Sequence, residues 1–299
     1  MPERPAGSFS SILVAVDGSK NALAACGLAG SIAKSAHAGI GLVYVAASSA
    51  PGSESPAAVA LRSALKEGEK RLLEEATAAT GDESLVVEKN SVPKPTSIVK
   101  AIVDFAGERN FDLLVLGTRG LGGFRRLTVG SVSSGVATHA KVPVLVVRLS
   151  STLEVPTLKQ IVVATDGSPN SSRAVVTAAR MAKLMGGRLD ILHVMHIPET
   201  AYAMTRPVPI DQMEEGARSV GEKALAEALS LVEKEGVPVA SEMRMGISPA
   251  QGIVDFAEAK KADLIVVGAR GIGGFRKLLL GSVSNTVLHY AGCSVLVVK

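Results

Sequence analysis

The chain has 299 residues, about twice the length of an ordinary domain, and 47% hydrophobic against 20% charged residues with a mean hydropathy of +0.31 mark it as globular. Tryptophan is absent and aromatic residues make up 3%, too few rings to stack exposed bases, and the net charge of +4 is spread without a basic run, so nucleic acid is not an expected partner. No run of 18 apolar residues occurs, the first ten residues are polar and proline-broken, and two distant cysteines imply no disulfide framework, so the expectation is a cytoplasmic protein without a membrane segment.

In chain order, short runs rich in Val, Ile and Leu alternate with longer segments of helical period. Strands are expected at 12–16, 40–45, 85–88, 112–116 and 144–147, with helices at 21–36, 57–80, 97–108 and 131–140 between them. After a join at 149–158 the order starts again. Strands then fall at 161–165, 189–194, 237–242, 263–267 and 295–298, and helices at 170–185, 211–235, 249–260 and 282–290. Runs such as LLVL, LIVV and VLVV are apolar on both faces, which suits strands covered on both sides of a parallel sheet. The fold class is therefore α/β, with two tandem open, twisted, parallel-sheet domains of Rossmann type over residues 1–150 and 151–299. Serines 131 and 282 lead the closing helices and are good N-cap residues.

The second half is a copy of the first. ILVAVDGS at 12–19 returns as IVVATDGS at 161–168, and residues 117–147 match residues 268–298 at 18 of 31 positions. A tandem duplication makes every motif that survives in both copies more informative than a single occurrence.

One such motif follows the fourth strand of each half. Gly117, Gly120, Gly130 and Ser131 form G-x2-G-x9-G-S, and Gly268, Gly271, Gly281 and Ser282 repeat it in full. Glycines there let the backbone approach a ligand closely, and a helix that opens at Gly130 or Gly281 offers free N–H groups and a positive dipole end to phosphate. Arg119 and Arg270 lie inside the loops and can neutralise a polyphosphate, while Ser133 and Ser284 can add hydroxyl donors. Asp17 and Asp166 end the first strands, where open α/β sheets receive ligands. A carboxylate there can accept from a base amino group or a ribose hydroxyl, or it can simply close an Asx turn.

Other nucleotide signatures are missing. No GxxxxGK[ST] occurs, and the DGSKNALAACG segment after the first strand is no dinucleotide fingerprint. The five histidines form no metal-ligand pattern, so no protein-held metal is expected. No candidate general base recurs beside the glycine loops, which favours binding over turnover and leaves slow ATP hydrolysis as the alternative.

The VDGS and TDGS turns, the paired glycine loops and the closing PVLVV and SVLVV together resemble the universal stress protein family, over essentially the whole chain and twice. The likeness is to tandem-domain members of its ATP-binding subgroup. It implies five-stranded sheets in order 3-2-1-4-5, a stress-response or regulatory role, and ATP at the carboxyl edge with any Mg2+ held mainly by the phosphates. It further implies that Asp17 and Asp166 hold the adenine or ribose end, and that the backbone of Val45 and Val194 touches adenine. The loop residues Gly117, Gly120, Gly130, Ser131 and Ser133, and their counterparts Gly268, Gly271, Gly281, Ser282 and Ser284, would wrap ribose and phosphates. A pseudo-dimer of the two halves along their last strands, and a possible homodimer, follow from the same likeness. One departure stands out: Pro95 occupies the position of Gly246 before the third helix, and its fixed φ sends that loop along another path.

Overall fold

The computed structural model describes residues 9–46, 55–93, 97–118, 129–149, 157–196, 210–246, 248–271 and 280–299. These fall into two compact units, Phe9–Thr157 and Leu158–Lys299.

In the first unit the elements run β1 (Ser11–Val16), α1 (Lys20–Ala36), β2 (Gly39–Ala46), α2 (Pro56–Ala78), β3 (Val86–Pro93), α3 (Ile98–Glu108), β4 (Leu113–Gly117), α4 (Ser131–His139) and β5 (Val144–Val147). β1 pairs with both β2 and β4, β2 with β3, and β4 with β5, all in parallel, which gives the order 3-2-1-4-5. The second unit repeats the plan with β6 (Gln160–Ala164), α5 (Pro169–Met185), β7 (Arg188–Met195), α6 (Ile210–Val232), β8 (Val239–Met245), α7 (Pro249–Ala259), β9 (Leu264–Gly268), α8 (Ser282–Tyr290) and β10 (Ser294–Val298). Its parallel pairs place the strands in order β8, β7, β6, β9, β10.

Sequence explains why the central strands lie where they do. Ile12, Leu13, Val14, Leu113, Leu114 and Val115 have no solvent exposure, and neither do Ile161, Val162, Leu264, Ile265 and Val266. Both faces of each strand are therefore core, and each such side chain removed from water contributes about 1.5–3 kcal/mol. Ser19 caps α1 by accepting from Ala22 N, and Ser168 caps α5 by accepting from Ser171 N with Pro169 in the first turn.

The edge strands depart from expectation. β3 begins at Val86 after a 3-10 turn at Glu83–Leu85 and runs to Pro93, five residues past the expected end. β8 starts at Val239, because Pro238 carries no N–H and serves only as an acceptor, from Leu189 N at 2.9 Å. Hydrophobicity alone misplaces such strands, since β8 is largely exposed and carries polar residues that read as loop. The serine caps of α4 and α8 are corrected as well: Gly130 and Gly281 are the N-cap residues, with no side-chain cap, and the serines form the first helical turn.

The order in which strands are added reverses between β1 and β4, and between β6 and β9, while all of them stay parallel. The helices after the two strands leave on opposite faces, and the gap between them is where open α/β sheets place ligands.

Candidate functional site

In the second unit that gap is a cavity of about 360 Å³. Its floor is the ends of β6, β7 and β9, one wall is α7 through Pro249 and Ile253, and the opposite rim is the first turn of α8. The volume falls in the roughly 300–1,000 Å³ range of small-molecule clefts.

Asp166 sits at the end of β6, with Oδ1 accepting from Ser168 N at 3.0 Å in an Asx turn that needs Gly167 at φ 78°. Asp17 repeats the arrangement, accepting from Ser19 N at 3.0 Å beside Gly18 at φ 78°. Asp166 thus closes the turn with one oxygen while its side chain lines the cavity. Its other oxygen lies against Gly271, where a Cβ would collide with it. Glycine there lets the loop after β9 pass the carboxylate in its turn-closing position.

Gly268 and Gly117 serve a different purpose. An added Cβ would come within 2.8 Å of the Asn170 backbone in one unit and 2.7 Å of the Asn21 backbone in the other, so only glycine lets β9 and β4 end against the first turns of α5 and α1. Beyond them Gly281 N donates to Ala269 O at 2.8 Å and Gly130 N donates to Thr118 O at 2.7 Å, closing the loop at the start of α8 and α4. Ser284 Oγ donates to Gly268 O and Ser133 Oγ to Gly117 O, both at 2.6 Å. These buried hydroxyls fasten the start of each helix to the end of its strand. The unpaired N–H groups of the first turn, with Ser282 and Arg270 beside them, are what this rim offers an anion.

Val194 lines the cavity at the end of β7, and Val45 is buried at the matching end of β2. Arg119 and Gly120 of the first loop, and Pro95, lie outside the described residues. The structure also brings in residues the motif search did not single out. His193 lines the cavity 8% exposed, and its Nδ1 lies 2.9 Å from Thr165 O, an acceptor, so Nδ1 carries the ring proton. Its signal in the sequence was its position at the end of the second strand, next to Val194.

Among the described residues no group of three or more His, Cys, Asp or Glu is placed to hold a metal ion. The residues present do not fit a protein-held Mg2+, since Asp166 is the one described carboxylate that lines the cavity.

The universal stress protein family matches residues 8–148 and again residues 157–299. The chain belongs to the universal stress protein family. A universal stress protein of Methanocaldococcus jannaschii is 38% identical over 141 residues, 47% of this chain and 82% of that one. One of Mycolicibacterium smegmatis is 32% identical over 208 residues, 68% of this chain and 66% of its own length. The crystal structure of a universal stress protein from Archaeoglobus fulgidus aligns over 97% of this chain and 96% of its own with a TM-score of 0.64 at 24% identity, a likeness of fold. As in the family match, two universal stress protein domains lie in tandem, and no helix among the described residues is long and apolar enough to cross a membrane.

Proposed function

We propose that this chain is an ATP-binding stress-response protein of the cytoplasm, with one adenine-nucleotide site in each of the domains 1–150 and 151–299 and little or no turnover. The observation that carries this reading is the second-unit cavity, which has a carboxylate acceptor, Asp166, at the end of one strand and an uncapped helix start with Gly281, Ser282 and Arg270 across from it. A nucleotide has the same two ends: a base and ribose rich in donors, and phosphates that suit a helix N-terminus. In this arrangement Asp166 accepts from the nucleoside, Val194 bounds the base, and the first turn of α8 receives the phosphates, with any Mg2+ held by the phosphates themselves. Asp17, Val45, Gly117, Arg119, Gly120, Gly130 and Ser131 take the matching roles in the first domain. Two chains can associate as a homodimer.

The test is to denature purified protein, quantify the released nucleotide, and incubate stripped protein with ATP and Mg2+. Close to two adenine nucleotides per chain, with ATP persisting for hours, is the expected result. Steady appearance of ADP would instead make the protein a slow ATP hydrolase, and neither bound nor rebound nucleotide would overturn the reading.

A further inference from the structure

The turn that carries Asp166 is held by more than its own geometry. Thr165, the residue before it, is buried, and its Oγ1 donates to Ser171 Oγ at 3.2 Å and accepts from Gly167 N at 3.3 Å. Ser171 lies in the first turn of α5 and lines the cavity. Its Oγ donates to Ser168 O at 2.9 Å and accepts from Asp166 N at 3.4 Å. From the other side, His193 on β7 donates through Nδ1 to Thr165 O at 2.9 Å. The residue before the carboxylate is thus fastened twice, by its carbonyl to the neighbouring strand and by its side chain to the following helix.

The first unit builds the same turn from different neighbours. Asp17 still accepts from Ser19 N, and Ser19 still caps α1. Val16 and Ala22 stand at the positions of Thr165 and Ser171, however, and carry no hydroxyl. Tyr44 stands at the position of His193, and a phenol has its one donor at the far tip of the ring, not next to the ring carbon that joins Cβ, where Nδ1 sits. The turn therefore folds without these polar side chains, and what they add is position. A carboxylate whose backbone is fixed before the ligand arrives surrenders less conformational freedom when it accepts a hydrogen bond.

We propose that Thr165, Ser171 and His193 are positioning residues for Asp166, setting the second-unit carboxylate in advance for the nucleoside end of its ligand, a device that Val16, Ala22 and Tyr44 cannot supply. This inference rests on the nucleotide reading above. Because the three residues act through Asp166, their contribution falls on base and ribose and is blind to the number of phosphates.

The experiment titrates the full chain with ATP and with AMP by calorimetry, taking the component of binding that Gly281→Val removes as the second-unit site. Thr165→Val combined with Ser171→Ala gives the second unit the residues of the first, which that turn already accommodates. The affinity of the second-unit component is expected to fall by about fivefold, equally for ATP and AMP, the size of ordering one side chain. Thr165→Ser keeps the hydroxyl and holds affinity within about twofold of wild type, which a merely structural role would not require, and far-UV circular dichroism checks that the variants are folded. Unchanged affinity in the double variant, a loss that differs between ATP and AMP, or an equal loss in Thr165→Ser overturns the inference and leaves the nucleotide site standing. If Gly281→Val removes no component, the site reading itself falls and the inference falls with it.

Discussion

In the first unit Tyr44, Glu69 and Ser91 stand where the second has His193, Gly221 and Met243. Ser91 Oγ donates to Glu69 Oε2 at 3.0 Å, a polar link from strand to helix. In the second unit that link is replaced by contact: a Cβ on Gly221 would lie 2.5 Å from Met243 Sδ and 2.7 Å from His193 Cδ2, so the bare glycine lets α6 settle onto the imidazole. A similar exchange occurs low in the sheet. Gly41 leaves room for the Phe111 ring, whose Cζ would be 2.5 Å from a Cβ there, whereas the matching positions hold Asp190 and Ala262. Asp190, 2% exposed, accepts from Gln160 Nε2 and lies 3.2 Å from Lys260 Nζ. Against these changes the rim is constant, down to the 2.6 Å bond from Ser133 or Ser284 to the strand-end glycine. The walls have repacked between the copies, and the described strand-end geometry has not.

That contrast can be broken most sharply at Gly271. Gly271→Ala drives a methyl group into Asp166, and nucleotide stoichiometry measured by equilibrium dialysis is expected to fall from about two per chain to about one, because the first unit is untouched. Retention of both sites would mean that the two rims are not independent.

Next in size is Asp190→Ala. It removes the partner of the Gln160 amide and one partner of Lys260, which is a third exposed and keeps Glu242 at 3.7 Å, and is expected to cost about 1–2 kcal/mol in urea unfolding. The rim is far enough along β7 for second-unit binding at low denaturant to stay within about twofold, which separates wall from rim.

Lys299→Met sharpens the comparison through pH. The unfolded chain keeps this proton up to its ordinary value of 10.5, while the folded one gives it up near 8, so the folded state binds fewer protons between those values and wild-type stability rises with pH across that window. The methionine variant is therefore expected to be more stable than wild type below pH 8, by about 1–3 kcal/mol, with the advantage shrinking toward pH 10.5. Thermal melts at pH 7 and pH 10.5 check it.

The smallest effect is expected at Cys26. Burial pushes its thiol up to about 12, and the matching residue of the second unit is Val175, with no exposure at either site. Cys26→Val should change stability by less than about 1 kcal/mol, and native Cys26 should resist a thiol reagent until the unit unfolds.

The sheet could be read from sequence because its central strands are buried on both faces, so LLVL and VLVV had little else to be. The duplicated glycines were legible for a related reason: a residue that must lack a Cβ, as Gly117 and Gly268 must, survives copying. Edge strands were harder, since β8 is largely exposed and held by pairing more than by burial. The bonds of Ser133 and Ser284 to the strand ends were not legible, because which acceptor a hydroxyl meets depends on where the strand end lies. His193 and Asp190 were invisible as functional or structural groups, their meaning resting on Gly221 and Lys260, which lie far from them in the chain.

The bond from Ser284 to the Gly268 carbonyl has a consequence for how a ligand would be met. It ties the first turn of α8 to the end of β9, so strand and helix present their amides as one rigid edge. The conformational freedom of those donors is surrendered during folding and not during capture. An anion received at this edge would meet donors whose positions that bond already holds.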